Sequence, residues 1–248
     1  MEFHFGAGDF FAVPLGQANP TPVHFSALSD FSIDIKFEEK KLYGQNQFPI
    51  AVQRGKGSID VKVKNSLVSG AMVNSLFLGT TSTPGQLLTA VNEGGQPTAN
   101  SYTAANGTTF KTDLGVAYAS TAIPLQRVAA NPTAGQYTVS AAGVYTFAAG
   151  DAQASAGVVV SYTYTVAAGG STAAITSQAM GTGVQFMGVY TTASVVAGVQ
   201  KRCTIQLNVC SSPDLKMAAK QDDYMVPEFG VSAYADAAGN VGVVSFAE

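Results

Sequence analysis

The chain has 248 residues, enough to bury a proper core as one large β domain or two small ones. Only 12% of residues are charged, so much of the surface is expected to face something other than free water, and an obligate assembly is expected. The net charge of −3 excludes the basic footprint of a tight nucleic-acid binder, and no stretch is long and apolar enough to span a membrane as a helix.

Residues 1–28 are read as an N-terminal arm. They open with MEFHFGAGDFF, which lacks a basic start followed by an apolar run, so no secretory signal is expected. Charge is concentrated after the arm. Residues 30–64 carry twelve charged side chains, whereas 128–200 carry one, Asp151. Phe31, Ile33, Ile35 and Phe37 alternate with Ser32, Asp34 and Lys36, which predicts a strand with one apolar face. Ile59, Val61 and Val63 alternate with Ser58, Asp60, Lys62 and Lys64, which predicts a second strand with a charged outer face. Residues 38–55 lie between, too long for a tight hairpin and expected to form a functional loop. The stretch FEEKKLYGQNQFP mixes both signs of charge with Phe37, Tyr43 and Phe48. That mixture suits a contact surface whose register is set by ion pairs, although a solvated face is the default for any charge run.

Leu67, Val68, Ala71, Met72, Ser75 and Leu76 recur at helical spacing, and Gly79 is placed to end the helix, predicted over 66–77. Residues 80–135 are rich in Thr, Gly, Pro, Ala and Asn. They are read as a long loop-rich surface elaboration with short strands near 85–92 and 108–123. A meander follows. Tyr137 and Val139 are expected to face Tyr145 and Phe147 across the turn SAAG. In GVVVSYTYTV, Val158, Val160, Tyr162, Tyr164 and Val166 share one face. CTIQLNVC reads as one strand with Cys203, Ile205, Leu207 and Val209 inward. Cys203 and Cys210 then stand roughly 23 Å apart at about 3.3 Å per residue, too far to bridge, so reduced thiols are expected. FGVSAYA and VGVVSF are read as a closing hairpin around DAAGN.

Signals for chemistry are weak. His4, His24, Cys203 and Cys210 do not fall at metal-ligand spacing. GKGS at 55–58 lacks the first Gly of a phosphate loop, and GTGVQF at 181–186 lacks the third Gly of a dinucleotide fingerprint. No G-x-S-x-G elbow occurs. Asp222 and Asp223 are adjacent, so on a strand they would point to opposite faces and make a poor acid–base pair. A turn or an interface-paired acidic loop is the better reading. No enzymatic activity and no cofactor are expected.

The order of a strand, a charged segment with LYG and FP, the strand KGSIDVKVK, the helix NSLVSGAMVNSLFLG, a β meander and the closing KQDDYMVPEFGVSAYADAAGNVGVVSF resembles the tail tube protein (major tail protein) of long-tailed bacteriophages. GQYTVSAAGVYTF and VVVSYTYT are similar to other phage virion β domains, and residues 80–135 fall outside the resemblance. It implies a mainly β fold, an antiparallel β-barrel or sandwich with one flanking α-helix, and a single domain over 1–248. It implies that six copies form a ring, and that rings stack into a tube through which DNA passes. The partners would be the chain itself, tape measure, sheath or terminator, and baseplate proteins, with DNA only in passing and no membrane. The place would be the virion, assembled in the bacterial cytoplasm.

The resemblance makes 38–55 a ring-to-ring stacking loop. The contact candidates are then Phe37, Glu38, Glu39, Lys40, Lys41, Tyr43, Phe48 and Arg54, with Asp222, Asp223 and Tyr224 bordering a subunit contact or the lumen. Ser58, Asp60, Lys62 and Lys64 would face lumen or neighbour. The family's lumen tends to be acidic, so its two lysines require acidic partners if that row lines it. A capsid decoration or baseplate protein with a similar β domain is the alternative. A carbohydrate- or receptor-binding module fits less well, because Trp is absent and Tyr162 and Tyr164 fall on a face read as core.

Overall fold

The computed structural model describes residues 6–67, 69–80, 82–196 and 198–247. The fold is mainly β with antiparallel sheets. The chain divides into two compact units, 1–82 with 173–248, and 83–172. This differs from the expectation of one domain with a loop-rich elaboration at 80–135.

The first unit begins with β1 (Asp9–Pro14), β2 (Val23–Phe25), β3 (Leu28–Tyr43) and β4 (Pro49–Asn65), followed by α1 (Gly70–Val73) and a π turn, Asn74–Leu78. Within the segment read as an N-terminal arm, Asp9–Pro14 and Val23–Phe25 are strands of this unit's sheet. Phe10 and Ala12 on β1 are buried; Met1–Phe5, including His4, lie outside the described residues. The helical segment is shorter than the predicted 66–77 for a local reason. Asn65 accepts the Ala27 N–H and donates to Leu67 O, and Ser66 N–H donates to Ala27 O, which ties residues 65–67 to the sheet. Ser69 then caps the helix by accepting the Met72 N–H at 3.1 Å. Val68, part of the predicted stripe, lies outside the described residues, while Met72 and Leu76 are buried as expected. Gly79 ends the segment at φ 63°, a left-handed conformation open to glycine.

The second unit contains β5 (Thr83–Gly95), β6 (Ser101–Thr103), β7 (Phe110–Tyr118), β8 (Gln126–Arg127), β9 (Gln136–Val139), β10 (Val144–Phe147), α2 (Ala152–Ala156) and β11 (Val158–Thr172). Two sheets, β5-β11-β7 and β6-β10-β9-β8, share one core. The short strands expected near 85–92 and 108–123 are β5 and β7, longer than expected on the first count. β5 draws its partner from β11, where Thr165 faces Leu87 and Thr163 faces Thr89. The β9–β10 register is the expected one, Tyr145 opposite Val139 and Phe147 opposite Tyr137. Val158, Val160 and Tyr162 are all fully buried on one face of β11.

The chain returns to the first unit with β12 (Gln185–Val196), β13 (Val199–Lys216), β14 (Glu228–Tyr234) and β15 (Gly242–Phe246). The first unit's sheet runs β2-β1-β12-β13-β14-β4-β3, open at both ends and not a closed barrel. Its core joins Phe10, Phe25, Val63, Leu76, Phe186 and Phe229, with edge-to-face rings at 5.2 Å for Phe10–Phe25 and 5.4 Å for Phe25–Phe229. On β13, Cys203 and Leu207 are buried as predicted, but Cys210 takes the place expected for Val209. The register changes from Phe186↔Cys210 to Gly188↔Leu207, so one extra residue on β13 moves the inward face by one position. Neither cysteine is in a disulfide, and burial pushes the Cys210 thiol up to about 11.

The closing segment is not a hairpin. β14 pairs with 209–216 of β13 and β15 with 203–207, along the same edge and in the same direction. DAAGN is a bulging loop between two collinear strands. Asp236 accepts the N–H groups of Ala238 and Asn240, each at 2.9 Å, and the Asn208 side chain at 2.9 Å, which pins the loop to β13.

Candidate assembly surface

The predicted loop 38–55 is the far half of a long hairpin. β3 and β4 stay paired from Leu28↔Asn65 to Tyr43↔Pro49, with only 44–48 forming the turn. Phe31 and Ile33 face the core, where Phe31 stacks on Tyr190 at 3.7 Å. The same stripe continues outward as Ile35 and Phe37, which are 49% and 50% exposed. Near the turn, Leu42, Tyr43, Phe48, Ile50 and Val52 are also exposed, Phe48 at 81%. An apolar face that outruns its own core marks an interaction site. Arg54 lies 4.8 Å over the Phe37 ring and opposite Glu39, while Lys41 pairs with Glu39 at 3.5 Å.

All eight contact candidates on this hairpin, Phe37 to Lys41 with Tyr43, Phe48 and Arg54, are exposed. Asp222, Asp223 and Tyr224 are exposed too, in an irregular loop where Asp222 has φ 62° and Asp223 accepts the Tyr224 N–H. The structure does not bring the two groups together. β14 starts at Glu228 opposite Lys64, so the 217–227 loop sits at the end of β4 remote from the hairpin turn. β4 has 17 residues, on the order of 50 Å of strand.

Ser58, Asp60, Lys62 and Lys64 share one face, as predicted, and neighbouring strands add Asp30, Asp34, Lys36, Asp214 and Glu228 to it. The lysines are partnered. Lys64 reaches Asp30 at 3.0 Å and Glu228 at 3.9 Å, Lys62 reaches Glu228 at 4.0 Å, and Lys36 pairs with Asp34. The hydrogen bond from Lys64 to Asp30 holds its ammonium above the ordinary value. Asp34, Asp60, Asp214 and Glu228 with Lys36 and Lys62 line a groove of roughly 630 Å³. Within the groove four carboxylates meet two ammonium groups.

A Cβ on Gly230 would meet the carboxylate of Asp214, the free end of an exposed side chain. Gly230→Ala is therefore expected to turn the Asp214 carboxylate aside and to leave the denaturant midpoint within about 1 kcal/mol of wild type.

Sequence reasoning missed three carboxylates in the second unit. Asp113 on β7 accepts Tyr137 OH at 2.7 Å and Tyr145 OH at 3.2 Å, with Arg127 at 3.8 Å. Glu93 on β5 accepts Tyr102 OH at 2.6 Å, Tyr162 OH at 2.5 Å and the Ala105 N–H at 2.8 Å. Asp151 accepts Tyr118 OH at 2.9 Å, the Gly135 N–H at 3.0 Å and the Ala154 N–H at 3.0 Å, capping α2. The one available signal was Asp151's isolation as the only charge across 128–200. Burial would raise the carboxyls of Glu93 and Asp151, but these hydrogen bonds outweigh it and hold both below their ordinary values.

A carboxyl lowered on folding contributes stability that is complete above its unfolded value and is lost as pH falls through the folded value. Acidification below the ordinary 4.5 of Glu and 3.8 of Asp is therefore expected to weaken the 83–172 unit. An amide-exchange series from pH 6 to about pH 3 reads this as loss of protection in β5, β7 and β11.

Among the described residues no three His, Cys, Asp or Glu side chains converge as metal ligands, and no helix is long and apolar enough to cross a membrane. His24 stacks on Phe11 at 4.4 Å and meets Asp9 at 3.0 Å, and GKGS at 55–58 lies within β4. No family model matches the chain, and no curated protein matches it.

Proposed function

We propose that the chain is a structural virion subunit that assembles into stacked rings, six copies to a ring, forming the phage tail tube through which DNA passes. The observation that carries this reading is the apolar stripe leaving the core along β3 at Ile35 and Phe37 onto an exposed hairpin. A lone subunit leaves that stripe in water, and a neighbouring copy removes it. The hairpin turn and the 222–224 loop lie at opposite ends of β4, as head-to-tail stacking requires of the two surfaces that meet.

The face with Asp60, Lys62 and Lys64 is the lumen candidate. Its lysines are neutralised and its excess charge is negative, so a passing duplex finds no counter-ion release to hold it. In this reading the chain works by assembly and performs no bond chemistry. Its other partners are tail proteins at the tube's ends and along its length, and its place is the virion. Sedimentation of the purified chain over a hundredfold range of concentration tests the reading. A steep, cooperative shift from subunit to large particle is expected, and a concentration-independent monomer speaks against it.

A further inference from the structure

The chain holds a single Asn–Gly step, Asn106–Gly107, on the connection from β6 to β7. In a flexible chain this pair is labile, because glycine has no Cβ to keep its nitrogen from the asparagine side chain. The fold nevertheless needs glycine there. Gly107 is buried, and a Cβ on it would stand 2.6 Å from the Ala142 carbonyl oxygen, a backbone atom that cannot swing aside.

Three observations hold the pair still in the native unit. Asn106 has φ −105° and ψ 33° and leads into a single 3-10 turn, Gly107–Thr109. Its backbone N–H and its side-chain amide both donate to Tyr162 OH, at 3.1 and 3.2 Å. That ring is fully buried, and its hydroxyl donates in turn to Glu93. Gly107 N–H is itself engaged, donating to Ala104 O at 3.0 Å. Deamidation needs the Gly107 nitrogen to close a five-membered ring on Asn106 Cγ, which requires it to eclipse Cβ about the Cα–C bond. At ψ 33° the nitrogen stands nearly opposite Cβ, and the eclipsed arrangement lies outside the regions open to a non-glycine residue.

We propose that Asn106 is a site of spontaneous modification, closed in the native 83–172 unit and opened by its unfolding, where deamidation makes that unfolding irreversible. In the opened chain hydroxide takes the Gly107 N–H proton, and the nitrogen bonds to Asn106 Cγ. The Cγ–Nδ2 bond breaks, and Nδ2 leaves as ammonia with a proton from water. The cyclic imide then adds water at either carbonyl and gives aspartate or isoaspartate. One water is consumed overall, and nothing is oxidised or reduced. Neither product fits the native site. Tyr162 OH gives its one proton to Glu93 and accepts from the two nitrogens of Asn106. A carboxylate at 106 has no hydrogen to offer that oxygen and sets a second negative charge across it from Glu93. Isoaspartate also lengthens the backbone by one carbon, which moves the N–H groups of 106 and 107 off Tyr162 and Ala104.

Peptide mass spectrometry with separation of isoaspartate follows residue 106 in the full chain at mildly alkaline pH, native and in guanidinium chloride. The native rate is the unfolded rate multiplied by the fraction of time the site is open, so conversion is expected to be at least about a hundredfold slower in the native chain. Equal rates overturn the proposal. Removing the denaturant after increasing times tests irreversibility. Recovery of amide protection in β5, β7 and β11 is expected to fall in step with conversion at 106. Full recovery from a converted chain overturns the irreversible step. Asn106→Asp, made directly, is expected to unfold at lower denaturant than Asn106→Ala, which loses the same side-chain donor without adding a charge. A midpoint for Asn106→Asp at or above that of Asn106→Ala also overturns that step.

Discussion

Reversing Lys40 and Lys41 to glutamate is expected to abolish tube growth while leaving the far-ultraviolet circular dichroism and the thermal midpoint of the subunit nearly unchanged. Both lysines are exposed on the hairpin, and Lys41's pairing with Glu39 is a surface ion pair worth under about 1 kcal/mol to the fold. In the proposed tube, six-fold symmetry would repeat every inter-ring contact, so about 1 kcal/mol per contact would become about 6 kcal/mol per stacking step, or roughly four decades in the association constant. The acidic surface at the other end of β4 holds Asp222 and Asp223. Combining Lys40→Glu and Lys41→Glu with Asp222→Lys and Asp223→Lys is expected to restore growth in part. Tubes of normal length from the lysine variant alone would contradict stacking through this hairpin.

Asp113→Ala is expected to have the largest effect on stability of any single change in the 83–172 unit. The Asp113 side chain is 4% exposed and joins the two sheets, since it sits on β7 and receives Tyr137 from β9 and Tyr145 from β10. Removing the carboxylate strands two phenol hydroxyls of buried tyrosines and the Gly115 N–H, while the exposed Arg127 guanidinium turns to water. Each buried group left without its partner costs about 1–3 kcal/mol. Trp is absent, so tyrosine emission reports the unfolding without interference. A denaturant midpoint within about 1 kcal/mol of wild type would show that water replaces the carboxylate freely.

What the sequence revealed followed from local pattern. The β9–β10 register, the buried face of β11, the Gly79 cap and the separation of Cys203 from Cys210 on one strand all depend on residues a few positions apart. What it hid depended on distant partners. Only a short strand near 85–92 was legible in the turn-rich segment, because the full length of β5 is stabilised by β11, some seventy positions later. The far half of the β3–β4 hairpin reads as a loop because both its faces are exposed, which removes the alternation that marks a half-buried strand. β14 and β15 read as a hairpin because DAAGN carries a turn signal, and the signal is real. It makes a loop that Asp236 and Asn208 fasten to β13, after which the chain resumes its former direction.

The candidate surface was legible in the same uneven way. The residues of the hairpin and of the 58–64 row were found from charge and aromatic content, because those residue types seldom cluster without a reason. The partners of Lys62 and Lys64 could not be found so, since Asp30 and Glu228 reach them only through sheet pairing. The tyrosine-bound carboxylates of the second unit were invisible for the same reason.

The central claim is self-assembly into a hollow tube, and negative-stain electron microscopy of the concentrated, purified chain tests it most directly. The account predicts rings and tubes with six-fold end views and a stain-filled lumen. Single subunits at every concentration, with or without phage tail tips added to initiate growth, would contradict it.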